Sequence, residues 1–111
     1  MADGSTHTAR VSMPATAARG AIIDIKTLIQ HDMETGYRRD AEGKIIPRDI
    51  IAKFVVTYAG SEIFRADAFP GTSANPYFAF TTIATETADL VFTWTDLAGT
   101  TTTVTRTLTV T

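Results

Sequence analysis

The sequence has 111 residues, a formal net charge of -2 and no cysteine. At that length one domain can bury about two-thirds of the surface its unfolded chain exposes, and without thiols it has no disulfide, thiolate metal site or cysteine nucleophile. Its ten Lys and Arg are scattered among twelve Asp and Glu, so no basic stripe follows a phosphate backbone and nucleic acid is not an expected partner. No run approaches the roughly eighteen apolar residues of a membrane helix, so no membrane partner is expected either.

Residues 1–7 are small and polar and predict a disordered leading tail that holds His7, with a single domain over residues 8–111. The tail lacks the apolar central region of a secretory signal. Thr8 to Met13 predicts a weak first strand with Pro14 at its edge. Ala15 to Gly20 reads as a linker with room for one helical turn, and Gly20 allows a tight bend. From Ala21 to Gln30 the alternation is regular: Ile23, Ile25, Thr27 and Ile29 share one face, and Asp24, Lys26 and Gln30 the other.

The run LIQHDMETGYRRDAEGKIIP, Leu28 to Pro47, interrupts that alternation and carries the sequence's only histidine outside the tail. Asp40 and Gly43 bracket a turn, so Tyr37 to Pro47 predicts a small hairpin anchored by Ile45 and Ile46. Pro47 also suits the first position of a short helical turn, which the β-branched residues after it discourage. Ile50 to Tyr58 predicts a central strand, with Ala52, Phe54, Val56 and Tyr58 on one face and Ile51, Val55 and Thr57 on the other.

Ala59-Gly60 turns the chain into a strand over Glu62 to Asp67. Phe69-Pro70-Gly71 breaks the ladder, and Thr72 to Pro76 is a loop in which Asn75 is extended by the following proline. Tyr77 to Thr82 resumes the sheet. Leu90, Phe92 and Trp94 then alternate with Val91, Thr93 and Thr95 in what reads as the heart of the core. Asp96 to Gly99 closes a hairpin onto a last strand whose Val104, Arg106, Leu108 and Val110 oppose an all-threonine face. About seven short strands with frequent turns predict an all-β, immunoglobulin-like two-sheet antiparallel sandwich.

Several chemistries can be weighed. His31 and Met33 are donor types of a copper site, beside Asp32 and Glu34, but the only other histidine is in the tail; the plain reading is a solvated loop. Glu34, Asp40 and Glu42 are carboxylates in a charged loop and read as solvated rather than as an acid–base pair. Ser5, Ser12, Ser61 and Ser73 lie in no nucleophile elbow. Arg38, Arg39, Lys44 and Arg48 offer guanidinium and ammonium groups to an acidic partner or a small anion, set against a merely solvated hairpin face. The threonine stripe is an exposed face or an oligomer seam. No catalytic residue, cofactor or metal is expected, and the alternatives are a copper-handling β-sandwich or a homo-oligomeric structural module.

The blocks HDMETGYRRDAEGKIIP, FVVTYAGSEIF, SANPYFAF and FTWTDLAG, in that order, resemble the SoxZ family over about residues 20 to 111. Met33 to Gly36, Ile46-Pro47, Asn75 to Tyr77, Trp94 and Asp96 carry the likeness; Asp32 and the segment before residue 20 depart from it. The resemblance implies a non-catalytic subunit of the SoxYZ sulfur carrier of bacterial thiosulfate oxidation. Its partner, SoxY, forms a heterodimer or higher oligomer with it and holds sulfur intermediates on a cysteine in a glycine-rich arm. The resemblance also implies a periplasmic location, reached by export with SoxY, and transient contacts with thiosulfate-oxidising enzymes and cytochromes. A chain without a thiol does not carry that cargo itself. By the argument that loops carry function, the expected docking residues are His31, Met33, Glu34, Tyr37, Arg38, Arg39 and Arg48.

Overall fold

A computed structural model describes residues 8–30, 39–45, 50–67 and 77–111. Eight strands follow one another: β1 (Ala9–Ser12), β2 (Thr16–Ala17), β3 (Ile22–Ile29), β4 (Ile51–Tyr58), β5 (Ser61–Asp67), β6 (Tyr77–Ile83), β7 (Ala88–Asp96) and β8 (Thr101–Val110). They form a three-stranded sheet in the order β1-β3-β6 and a five-stranded sheet in the order β2-β8-β7-β4-β5. All pairings are antiparallel except the short parallel contact of β2 with β8. The result is the expected immunoglobulin-like sandwich, and no helix occurs among the described residues.

The core follows from the alternation. Ile23, Ile25, Thr27 and Ile29 of β3 are buried, and across from them lie Phe54, Val56 and Tyr58 of β4, Leu90, Phe92 and Trp94 of β7 and Leu108 of β8. The buried Thr27 hydroxyl donates to the Phe78 carbonyl at 3.1 Å, which satisfies the one polar group that β3 turns inward. Aromatic rings cross between the layers. Trp94 stacks on Phe54 at 4.7 Å, Phe54 on Phe78 at 5.3 Å, and Phe64 on Phe80 at 4.5 Å. Trp94, Phe54 and Phe64 belong to the larger sheet, and Phe78 and Phe80 to the smaller one.

Three expectations are corrected. The register of β4 against β7 shifts between Ile51 and Lys53, and the extra residue turns Ile51 inward to full burial beside Ile50, off the face it was expected to share with Val55 and Thr57. The stretch read as a linker with a possible helical turn carries the chain between sheets: Thr109 N–H donates to the Ala15 carbonyl at 2.9 Å and Thr111 N–H to the Ala17 carbonyl at 3.0 Å. Ile45, expected to anchor the small hairpin, is 56 % exposed, and none of the described residues from Arg39 to Ile45 is buried. The segment from Phe69 to Pro76, the possible turn at Pro47, Ile46 and the leading tail lie outside the described residues.

The inward parity of β8 also accounts for its one charge. Arg106 lies in the row of Val104 and Leu108, and its Nη2 donates to the Val11 carbonyl of β1 at 3.3 Å, so the guanidinium clasps one sheet to the other at their margin.

Trp94 is buried, and its indole N–H has no partner among the described residues. Trp94→Ala is therefore expected to lower unfolding free energy by about 3–5 kcal/mol. Trp94→Phe, which keeps an aromatic ring and forfeits no hydrogen bond, should cost less than half of that. Urea unfolding followed by circular dichroism checks both, and a Phe variant as damaged as the Ala variant contradicts this account.

Candidate functional site

The candidate docking element leaves the sandwich at the end of β3 and returns at Ile50, whose carbonyl accepts from Leu97 N–H at 3.1 Å. It therefore springs from the same end of the molecule as the β7–β8 turn. Of the seven expected docking residues, Arg39 is described; His31, Met33, Glu34, Tyr37, Arg38 and Arg48 lie outside the described residues.

Arg39 pairs with Ile45 in an antiparallel bridge closed by the five residues Asp40 to Lys44. Asp40 Oδ1 accepts from the N–H groups of Glu42 and Lys44 at 2.9 and 3.0 Å. Asp40 N–H donates to the Lys44 carbonyl at 2.8 Å, and Gly43 N–H to the Asp40 carbonyl at 3.0 Å. Gly43 sits at φ 83°, a conformation that penalises a Cβ. The Asp40 carboxylate is thus occupied in building the turn, which is why it is there.

The same turn recurs at Asp96-Leu-Ala-Gly-Thr. Asp96 Oδ1 accepts from Ala98 and Thr100 N–H at 3.0 and 2.9 Å, and Gly99 adopts φ 89°. Both are type I turns followed by a left-handed glycine. Asp96 is buried under its hairpin, whereas the whole of Arg39 to Ile45 is exposed. Within the exposed hairpin Arg39 Nη1 donates to the Gly43 carbonyl at 2.9 Å, which holds the guanidinium against the turn.

The opposite end of the sandwich holds a surface cleft of about 630 Å³ that the sequence reading did not single out, lined by Ile22, Tyr58, Ile63, Ile83 and Glu86 among others. Ile22 and Ile83 face each other across the β3–β6 ladder and are 72 % and 54 % exposed. Their parity is opposite to that of the core residue Ile23, and that was the available signal. Tyr58 forms the floor. Its hydroxyl donates to the Glu86 carbonyl and accepts from Thr85 and Glu86 N–H at 3.2 and 3.0 Å. Burial by itself raises the phenol pKa, and the hydrogen bonds from Glu86 and Thr85 more than offset it, leaving the group below its ordinary value. Among the described residues no three His, Cys, Asp or Glu gather as a metal site.

The family model for sulphur oxidation protein SoxZ matches residues 10–107. The chain belongs to the SoxZ family. That match spans the exposed hairpin and every strand core, so the SoxZ-like region is the sandwich itself and this is a protein of sulfur oxidation. No curated protein matches in sequence.

Solved structures share the SoxZ-family fold at low identity. The sulfur carrier protein SoxY from Chlorobium limicola f thiosulfatophilum is 15 % identical with a TM-score of 0.67, over 96 % of this chain and 81 % of that one. A superoxide reductase (neelaredoxin) from Ignicoccus hospitalis is 12 % identical with a TM-score of 0.70, over 100 % and 88 %. A putative superoxide reductase from Thermotoga maritima is 12 % identical with a TM-score of 0.65, over 96 % and 88 %. These likenesses establish the architecture alone.

The Tyr58 anchor yields a measurement. Tyr58→Phe removes one donor and one acceptor from the 84–88 connection and should lower stability by about 1–2 kcal/mol. Faster amide exchange should appear at Thr85 and Glu86 first; unchanged exchange there means that the hydroxyl does not hold the connection.

Proposed function

We propose that this SoxZ-family chain is the non-catalytic half of a periplasmic sulfur carrier, paired with a SoxY-type subunit whose cysteine holds thiosulfate-derived intermediates. The observation that carries the reading is the family match over residues 10–107 in a sequence with no cysteine. A persulfide or thiosulfonate bond needs a sulfur of the protein on one side, and this chain offers no thiol to form it. Its contribution is to stabilise the partner through an interface of about 800 Å² per side and to present a surface to the enzymes and cytochromes that load, cleave and oxidise the cargo. The fold shared with the Chlorobium SoxY structure supports a pair of similar sandwiches.

The docking element in this reading runs from His31 to Arg48, with Met33, Glu34, Tyr37, Arg38 and Arg39 between them. The exposed, internally braced hairpin around Arg39 supports it, because a rigid turn presents its charges without a large ordering cost on contact.

Two experiments test these proposals. Co-expression with a tagged SoxY-type subunit should recover both chains at equal stoichiometry. Mass spectrometry after thiosulfate loading should then map every sulfur adduct to the partner; separate monomers at micromolar concentration, or an adduct on this chain, refute the assignment. Reversing charge at Arg38 and Arg39 should slow association with the oxidising enzymes, most at low ionic strength, and leave pairing intact, since rim charges act chiefly on encounter rate. Turnover of the loaded carrier that does not change in low salt removes the hairpin from that role.

A further inference from the structure

The strand edges of the sandwich are not treated alike. On β5, Arg65 bonds Asp67 at 2.9 Å and Glu62 at 3.2 Å, and the β4–β5 register shifts between Val56 and Thr57. Charge and a bulge are the usual devices that stop another strand from adding to an edge. β6 has seven residues and no charge, and its Phe80 is covered by Phe64 of β5. β1 has four residues. β8 has ten, with Arg106 as their single charge.

The register of β7 with β8 runs without a shift from Leu108 to Thr101, so backbone direction alternates strictly along β8. Thr109 and Thr111 turn their N–H groups to β2, away from β7, and residues of the same parity must do likewise. The N–H and C=O groups of Thr103 and Thr105 therefore point outward, and β2, which reaches only Thr109 and Val110, leaves them uncovered among the described residues. Arg106 closes the gap between the sheets behind this edge by reaching Val11. A shallow groove of about 310 Å³ lined by Met13, Pro14, Ala15, Thr105, Arg106 and Thr107 runs beside it.

We propose that the open edge of β8 over residues 101–107 is the seam at which the SoxY-type subunit adds a strand, continuing the five-stranded sheet across the carrier. This rests on the pairing read above and adds its location. The Chlorobium SoxY structure aligns with 96 % of this chain at a TM-score of 0.67, so a subunit of that type brings an edge of matching twist. Two similar sandwiches joined edge to edge have the self-complementary geometry of a pseudo-two-fold dimer. The strand adds through backbone hydrogen bonds from the Thr103 and Thr105 peptides, as in β-augmentation generally.

Amide exchange on the wild-type chain, alone and with its SoxY-type partner, tests the seam. In the free chain Thr103 and Thr105 should exchange fast while Thr102 and Val104, bonded to β7, stay protected; in the complex Thr103 and Thr105 should slow by about tenfold or more. Thr105→Pro, which removes an outward donor without touching the β7 ladder, should weaken pairing by about tenfold or more, whereas Thr105→Val should pair as the wild type does. A wild-type complex with unchanged exchange at Thr103 and Thr105 overturns the seam and leaves the pairing reading intact. So does their protection in a homodimer of this chain without the partner. Failure of the wild-type chains to associate overturns the pairing reading itself. If Thr105→Pro fails to fold, the wild-type exchange pattern decides.

Discussion

The stack of aromatic rings running Trp94, Phe54, Phe78 is what makes two sheets into one body. Each sheet alone has a single apolar face and cannot stand in water. Ring contacts at 4.7 and 5.3 Å join β7 to β4 within one layer and β4 to β6 across to the other, so the largest buried side chains lie where the layers meet. Everything else depends on that registration. Tyr58 is held inward two turns of the pleat from Phe54, the bulge at the start of β4 brings Ile51 under the same roof, and Arg106 reaches β1 because the layers sit at a fixed spacing.

Much of this was legible in the sequence. The parity of β3, β7 and β8 assigned inner and outer faces correctly, since regular antiparallel strands alternate strictly. What escaped were the places where tertiary demands override local pattern. The extra residue between Ile51 and Lys53 reversed the face of Ile51. The chain between Ala15 and Gly20 has too few β-formers to announce a strand, and β2 exists because β8 is there to receive it. Ile45 looked like an anchor because it is apolar, yet the turn's own hydrogen bonds hold the hairpin without it.

The turn within the proposed docking element was legible in the sequence as a hydrogen-bond pattern and less so as a position in the fold. The Asp-x-x-Gly-x turns at Asp40 and Asp96 share one hydrogen-bond pattern, which sequence spacing reveals. It does not reveal that one aspartate is buried and the other stands at the surface with Arg39. Of the residues proposed for docking, Arg39 lies among the described residues. The membership in the SoxZ family came from several blocks in order, which is more information than any single motif in this chain holds.

The pairing of β2 with β8 has a consequence for how such a protein is made. Strands that close the sandwich margin come from distant parts of the chain, and the Arg106 clasp spans 95 residues. During synthesis β2 must wait, unpaired, until β8 emerges, and such non-local closure slows folding and leaves that edge exposed meanwhile. The margin of the sandwich is therefore completed by the last strand to be made.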